Sequence, residues 1–286
     1  MDFLGLRTLT VIQNAVLLAR RKQPELNINQ IDYNDQKVLD YIGTGKTDGV
    51  FQLESAGMKG FMKELKPHNL EDVIAGISLY RPGPMDFIPQ YIRGKNDSSS
   101  ITYDCPQLEP ILAPTYGCIV YQEQVMQIVR DLAGYSLGRS DLLRRAMSKK
   151  KAAVMEKERK IFIYGDEETG VPGCIKNGID EQTANKIYDE MIDFAKYAFN
   201  KSHAAAYAVV SYQTAWLKYY FPVEYMAALM TSVIDNPSKV SEYIYACRQM
   251  NIKILPPDIN KGEANFSVDG GDIPVSYTHL TLPTIL

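Results

Sequence analysis

The stretch FNKSHAAAYAVVSYQTAWLKYY, residues 199–220, decides the fold class of this sequence. From His203 to Tyr220 it contains no proline or glycine, and apolar residues recur through it at helical spacing, which predicts one long helix. Asn200 or Ser202 is a suitable N-cap for this helix. A helix that starts here points its free N–H groups and its positive dipole end toward whatever lies beside Lys201 and His203. The stretch therefore also predicts an anion site.

The two sides of this helix differ in chemistry. One side carries His203, Tyr207, Thr214 and Lys218, with Ser211 near it. The opposite side, expected to pack into the core, carries Ala205, Val209, Tyr212 and Trp216. A cationic helix end followed one turn later by an aromatic ring suits a nucleotide, with its phosphates at the terminus and its base against Tyr207. A capped core helix with a hydrogen-bonded histidine explains the same residues, and both interpretations stay open at this point.

The helical period continues along most of the chain. It predicts further helices over residues 9–21, 35–41, 57–65, 69–80, 122–132, 141–147, 152–164, 181–198, 223–232 and 238–250. Short strands are expected at residues 50–53 and from residue 272 onward, and residues 94–117, with three prolines, are predicted to be mostly loop. The fold class is therefore predicted to be mainly α, with a few short strands.

The composition excludes several classes of protein. The chain has 286 residues, of which 23% are charged and 45% hydrophobic, so it can form an ordinary core and is not disordered. Its four cysteines are scattered without a C-x-x-C pair, which argues against a disulfide scaffold or a zinc site. No apolar run approaches the roughly 18 residues of a membrane span, and no signal peptide is evident. We therefore expect a cytoplasmic protein in a reducing compartment.

Charge is unevenly distributed along the chain, whose net charge is −3. Residues 139–160 contain nine lysines and arginines against three acids, and residues 196–220 contain three lysines and no acid. The rest of the chain carries the excess of acids. Positive charge concentrated in two segments of a mildly acidic protein predicts a local site for a polyanion.

The first basic segment has a helical pattern of its own. Leu143, Ala146 and Met147 share one face of a short helix, while Arg144 and Arg145 project from the other side and the lysine run 149–151 follows. Adjacent arginines beside a lysine cluster can bind phosphate oxygens through charge and bidentate hydrogen bonds. The alternative is a solvated basic face, with Asp141 and Arg145 paired at helical spacing. The segment alone leaves these two interpretations open.

A glycine-containing loop, residues 43–49, superficially resembles a phosphate-binding P-loop. Gly45, Lys46 and Thr47 match the end of the pattern G-x-x-x-x-G-K-[ST], but Asp40 occupies the position of its first glycine. A carboxylate there would repel phosphate, and no apolar strand leads into the loop. We interpret the segment as an ordinary turn.

Seven stretches, taken in order, resemble the motifs of bacterial DNA polymerase III alpha subunits, the family C replicative polymerases. They are residues 1–9, 49–55, 80–84, 116–126, 143–151, 199–208 and 255–260. The resemblance implies that residues 1–10 are the end of a palm domain and residues 11–274 a helical fingers domain, incomplete at its C-terminal end. The final residues, 275–286, resemble a translated sequencing-library adapter and are expected to be a non-native tail.

The resemblance also implies site residues. Asp2 matches the third of three palm aspartates that hold two Mg²⁺ ions, and it would be both the catalytic and the metal-binding residue of this chain. The residues implied in binding the incoming triphosphate are Arg144, Arg145, Lys149, Lys201 and His203. Tyr207 is expected near the nascent base pair.

By resemblance, the parent protein is a DNA-directed DNA polymerase that extends a primer by two-metal nucleotidyl transfer. The implied partners are primer–template DNA, deoxynucleoside triphosphates and replisome subunits, including the sliding clamp through regions that this sequence lacks; no membrane partner is expected. Because Asp2 is the one palm aspartate present, we expect the 286-residue chain alone to be inactive. The alternative function is a standalone helical nucleic-acid-binding module without catalysis.

Overall fold

The computed structural model describes residues 5–149, 152–195, 199–258 and 262–276, and these residues are predominantly helical. In chain order the helices are α1 (Arg7–Ala19), α2 (Gln36–Gly43), α3 (Ala56–Leu65), α4 (Leu70–Leu79), α5 (Ile88–Asn96), α6 (Glu109–Leu112), α7 (Gln122–Ala133), α8 (Leu137–Ser148), α9 (Ala152–Tyr164), α10 (Gly173–Lys176), α11 (Glu181–Ala195), α12 (Lys201–Tyr220), α13 (Pro222–Ser232) and α14 (Pro237–Gln249). Two short strands follow, β1 (Ile254–Leu255) and β2 (Ile273–Pro274). The mainly α prediction is confirmed.

The chain divides into two compact units, the first formed by residues 1–73 and 206–286. Its core packs α1 against α13, with α14 and most of α12 beside them. Strands β1 and β2 form a parallel pair in which Ile254 lies opposite Ile273. This pair confirms the short strand expected from residue 272 onward.

The second unit comprises residues 74–205. Its core lies between α7, α8, α9 and α11, where Leu132, Phe162, Tyr188 and Met191 are completely buried. The rings of Phe162 and Tyr188 join α9 to α11, with their centroids 5.4 Å apart. This packed core supports the candidate site at the start of α7, the second half of α8 and the start of α12.

The strand predicted over residues 50–53 is wrong. The structure has turns there, and Gln52 adopts a positive φ of 63°. The main-chain hydrogen-bonding groups of this segment pair with side chains and not with a neighbouring strand. Phe51 N donates to Thr214 Oγ1 (3.1 Å), and Thr47 Oγ1 donates to the Leu53 carbonyl (2.6 Å). Val50 and Leu53 are completely buried, so the apolar residues of this segment indicate burial in the core and not a strand.

The loop predicted over residues 94–117 is also partly wrong. Helix α5 extends to Asn96, and 3-10 or α-helical turns cover residues 98–100 and 106–115. The prolines of this segment stand at the first positions of these turns, where a missing N–H and a fixed φ are tolerated. In this segment the prolines therefore occur where short helices begin, and they do not indicate a loop.

The predicted faces of α12 are only partly right. Tyr212 is buried, as expected, but Ala205, Val209 and Trp216 are half-buried. The side expected to be polar is buried as well, at Ser211, Thr214 and Lys218. These polar groups are tolerated because each is hydrogen-bonded: Lys218, for example, donates to the carbonyls of Lys46 (3.0 Å) and Asp48 (2.7 Å).

Candidate functional site

Helix α8 presents the first group of predicted phosphate-binding residues. It begins at Ser136, whose hydroxyl accepts a hydrogen bond from Arg139 N (3.3 Å). Leu143, Ala146 and Met147 are buried, as their spacing predicted. This anchoring directs Arg144 and Arg145 away from the core.

The guanidinium of Arg144 joins two helices. Its Nε and Nη2 donate to Asp141 Oδ1 at 3.1 and 2.7 Å, and its Nη1 donates to Gln122 Oε1 at 3.0 Å. The side chain is only 17% exposed, so it is held in a defined orientation. Hydrogen bonds from Arg144 lower the pKa of Asp141, which keeps that carboxylate ionised.

Arg145 and Lys149 lie at the solvent-exposed end of α8. Arg145 Nε contacts Asp141 Oδ2 at 2.7 Å, the local ion pair that the solvated-face interpretation expected. Its side chain is nevertheless 63% exposed, so a pair of this kind contributes little and an anionic ligand can share the guanidinium. Lys149 is exposed at the C-cap of the helix, next to residues 150–151, which lie outside the described residues.

The start of α7 lies against the segment that leads into α12. Tyr121 and Phe199 form an isolated parallel bridge, in which Phe199 N donates to the Val120 carbonyl (3.3 Å) and Gln122 N to the Phe199 carbonyl (2.9 Å). The ring of Phe199 contacts both Arg81, whose guanidinium is 4.3 Å from the ring centroid, and His203, whose ring centroid is 5.5 Å away. Burial lowers the pKa of Arg81.

The first turn of α12 is capped from two directions. Asn200 Oδ1 accepts a hydrogen bond from His203 N at 2.8 Å, which identifies Asn200 as the N-cap. The carboxylate of Glu123 accepts from Lys201 N, with both of its oxygens at 3.1 Å, and from Asn200 Nδ2 at 3.0 Å. The Lys201 ammonium lies over the ring of Tyr121, 5.2 Å from its centroid.

The structure brings the two predicted phosphate-binding groups to one place in the second unit. Arg144 is hydrogen-bonded to Gln122, and Lys201 is hydrogen-bonded through its main chain to the next residue, Glu123. Helix α8 and the start of α12 therefore meet at the first turn of α7. That convergence places the Arg144 guanidinium and the first N–H of α12 against two consecutive residues of α7. The positive charge carried by the two segments favours an anionic ligand beside them.

Two further residues, Tyr207 and Asp2, were predicted to belong to the site. Tyr207 is one helical turn beyond His203 but belongs to the first unit, where its ring contacts that of Phe51 at 5.3 Å between centroids. Asp2 lies outside the described residues. Their roles stay predictions.

The loop at residues 43–49 is a turn, as interpreted from its sequence. Gly45 has a φ of +67°, and Lys46 N donates to Thr44 Oγ1 at 3.2 Å. Thr47 is completely buried and its hydroxyl is bonded to the Leu53 carbonyl. A phosphate site would need this hydroxyl to be accessible.

The residues that organise the site were not predicted from the sequence. Gln122 and Glu123 bind the cationic segments, and Arg81 stacks on Phe199. The available signal was a polar triplet, residues 122–124, at the start of a predicted helix that follows an apolar run. Such a triplet identifies side chains that can cap or bridge, but it does not name their partners.

The structure was also searched for metal-binding groups and for membrane-spanning helices. Within the described residues, no group of three or more histidine, cysteine, aspartate or glutamate side chains is arranged to hold a metal ion. Over the same part of the chain, no helix combines the length and the apolar character needed to cross a bilayer.

Comparisons with known proteins agree on one family. Residues 8–170 match a model of the bacterial DNA polymerase III alpha subunit finger domain. The chain is 44% identical over 277 residues to DNA polymerase III subunit alpha of Bacillus subtilis, covering 96% of this chain and 24% of that protein. The corresponding protein of Thermus aquaticus is 48% identical over 279 residues (96% and 22%), and that of Escherichia coli K12 is 48% identical over 285 residues (95% and 24%). The chain thus spans less than a quarter of the length of these relatives.

Proposed function

Because the chain belongs to the bacterial DNA polymerase III alpha subunit family, through its finger domain, we propose that it binds the triphosphate of an incoming deoxynucleoside triphosphate. The side chains assigned to the phosphates are Arg144, Arg145, Lys149, Lys201 and His203. The observation that carries the proposal is the convergence of Arg144 and the start of α12 on the adjacent residues Gln122 and Glu123. The Arg144 guanidinium is held by Asp141 and Gln122, so little order has to be gained at this side chain when an anion binds.

The full-length protein is proposed to be a DNA-directed DNA polymerase. The identity of 44% and 48% to DNA polymerase III subunits alpha supports this activity. Its substrates would be primer–template DNA and deoxynucleoside triphosphates, with Tyr207 beside the nascent base pair. Contacts with a sliding clamp and other replisome subunits would involve parts of the full-length protein outside the residues in hand.

Metal binding is assigned to a residue that the structure does not describe. Asp2 is proposed as one ligand of two magnesium ions, which would supply activation of the primer 3′ hydroxyl and stabilisation of the leaving oxygen. The described residues alone do not form a metal site. The roles proposed for them are therefore binding and positioning, and we expect the 286-residue polypeptide to bind nucleotide without extending a primer.

The proposal is tested by measuring dATP binding to the 286-residue chain by calorimetry at low salt. Arg145→Gln should weaken binding about tenfold, because it removes a charged hydrogen-bond donor to phosphate. Arg130→Gln is the matched control: Arg130 is also an exposed arginine, paired with a neighbouring aspartate, on α7. Binding should fall as salt rises, since exposed charges are screened.

Two results would contradict the proposal. Equal affinities for dATP and deoxyadenosine would show that the triphosphate contributes nothing to binding. If Arg145→Gln weakened duplex DNA binding as much as dATP binding, the basic residues would bind the phosphate backbone of DNA. The alternative of a nucleic-acid-binding module would then describe the chain better.

A further inference from the structure

A carboxylate holds the start of α12 in place. Both oxygens of Glu123 lie 3.1 Å from Lys201 N, the first N–H of the helix, and Oε1 also accepts from Asn200 Nδ2 at 3.0 Å. The first N–H groups of a helix have no partner within the helix, and its positive dipole end favours a negative charge. Glu123 is therefore an N-terminal anchor supplied by another helix.

The amide of Asn200 extends this anchor to His203. Its nitrogen donates to Glu123, and its oxygen accepts from His203 N at 2.8 Å. An amide has one donor end and one acceptor end, so the carboxylate fixes which way Asn200 points. Glu123 thus determines the main-chain position of both Lys201 and His203.

The residue before Glu123 performs the same task for α8. Gln122 accepts a hydrogen bond from Arg144 Nη1 at 3.0 Å, and its N–H donates to the Phe199 carbonyl at 2.9 Å. Two consecutive residues of α7 therefore set the spacing between Arg144 and the start of α12. Neither residue carries positive charge, so any contribution they make to phosphate binding acts through the cationic residues that they hold.

We propose that Glu123 is a positioning residue for triphosphate binding, acting through Asn200 and the first N–H of α12 to hold the main chain of Lys201 and His203 against the turn of α7 whose Gln122 binds Arg144. This inference rests on the proposed function. The carboxylate is half-buried, and its oxygens already accept from two donors, so its place in the structure is that of a fixed bridge. If the Glu123 carboxylate instead competed with the phosphates for the cationic residues, removing it would strengthen phosphate binding.

The experiment uses the 286-residue chain with dATP as the probe. Glu123→Ala should weaken dATP binding about tenfold, since it removes charge-assisted hydrogen bonds that order the site. Glu123→Gln keeps one acceptor oxygen and should recover part of that loss. Gln127→Ala, an exposed position on the same helix, is the control and should bind as the wild type does.

A double-mutant cycle separates positioning from a general loss of stability. The effect of Lys201→Gln on dATP affinity should shrink several-fold in the Glu123→Ala background, because Lys201 is no longer held in place. The effect of Arg145→Gln, whose side chain is bound to Asp141, should be the same in both backgrounds. Amide hydrogen exchange should speed up at residues 201–204 in Glu123→Ala and stay unchanged in the core of α9.

The outcomes are distinguishable from failure of the proposed function. If the wild-type chain does not bind dATP, the proposed function fails and this inference falls with it. If the wild type binds and both Glu123 variants bind equally well or more tightly, the positioning role is wrong while the proposed function stands. Equal coupling of Glu123 to Lys201 and to Arg145 would also overturn it, because that result describes a structural residue.

Discussion

The stability of the first unit should depend on pH through one buried lysine. Lys218 on α12 is 3% exposed, and its ammonium donates to the carbonyls of Lys46 and Asp48 at 3.0 and 2.7 Å. The titratable groups that act on its pKa are Asp48, Lys59, Cys247 and Glu54, and the first two of these form an ion pair with each other. Replacing Lys218 with methionine removes the titrating group and keeps a long unbranched side chain in its place.

The direction of the effect follows from the pKa of the lysine. Burial lowers the pKa of Lys218 from 10.5 to about 8, although the negative charge of Asp48 acts in the opposite sense. Between these values the unfolded chain binds a proton that the folded chain does not, so the free energy of unfolding rises with pH. Integrated from pH 7 to pH 9.5, this linkage amounts to about 2 kcal/mol.

Urea unfolding followed by tryptophan fluorescence can measure this difference. Trp216 is the single tryptophan of the chain and lies on α12, two residues before Lys218. The wild-type free energy of unfolding minus that of Lys218→Met should increase by about 2 kcal/mol over this range. Tyrosine and cysteine ionisations are shared by both proteins and cancel in the difference.

Lys218→Arg is a second reference, because an arginine stays charged throughout this pH range. The wild type should gain the same free energy relative to it, even though the two variants differ in size and charge. A difference that stays constant within about 0.3 kcal/mol from pH 7 to 9.5 would show that the pKa of Lys218 is not lowered in the folded state, since a lowered pKa requires this difference to rise with pH.

Two further predictions concern the second unit. Gln124→Leu should lower the free energy of unfolding by about 2–4 kcal/mol. The buried amide oxygen accepts hydrogen bonds from Val120 N (2.8 Å) and Tyr121 N (2.9 Å), and both donors would lose their acceptor. Urea unfolding followed by circular dichroism measures this loss, and a value under about 1 kcal/mol would contradict the prediction. Gly165→Ala should cost about 3 kcal/mol or more, because φ is +86° and the new Cβ would lie 2.4 Å from the Pro172 carbonyl oxygen. Gly170→Ala, with φ +69° and open space, should cost only about 1–2 kcal/mol in the same assay, and equal losses at the two glycines would show that contact with Pro172 is unimportant.

Local patterns predicted the helices well, and they predicted some buried faces. Leu143, Ala146 and Met147 are buried on α8 as their spacing requires, and α9 has the predicted bounds. Helical periodicity is a property of neighbouring residues, so it can be read without knowing what the helix packs against. The same local reasoning failed at residues 50–53, because a strand needs a partner that only the rest of the fold supplies.

The cationic residues of the candidate site were named from the sequence, whereas the hydrogen bonds that orient them are visible only in the structure. Arg144, Lys201 and His203 were named from charge, helix ends and family motifs, whereas Gln122 and Glu123 were not named. A cation near a helix end points to an anion on chemical grounds alone. Which polar side chain orients that cation depends on contacts between segments that are far apart in the chain.

The family, the mainly α class and the cationic residues were predictable from the amino-acid sequence, because motifs and helical periods are encoded in short stretches. The contacts by which α7 joins α8 to the start of α12, and the burial of Lys218, were visible only after folding. These features depend on which distant segments pack together. A polar side chain reveals what it can bind, but its partner and its exposure to water are set by the whole fold.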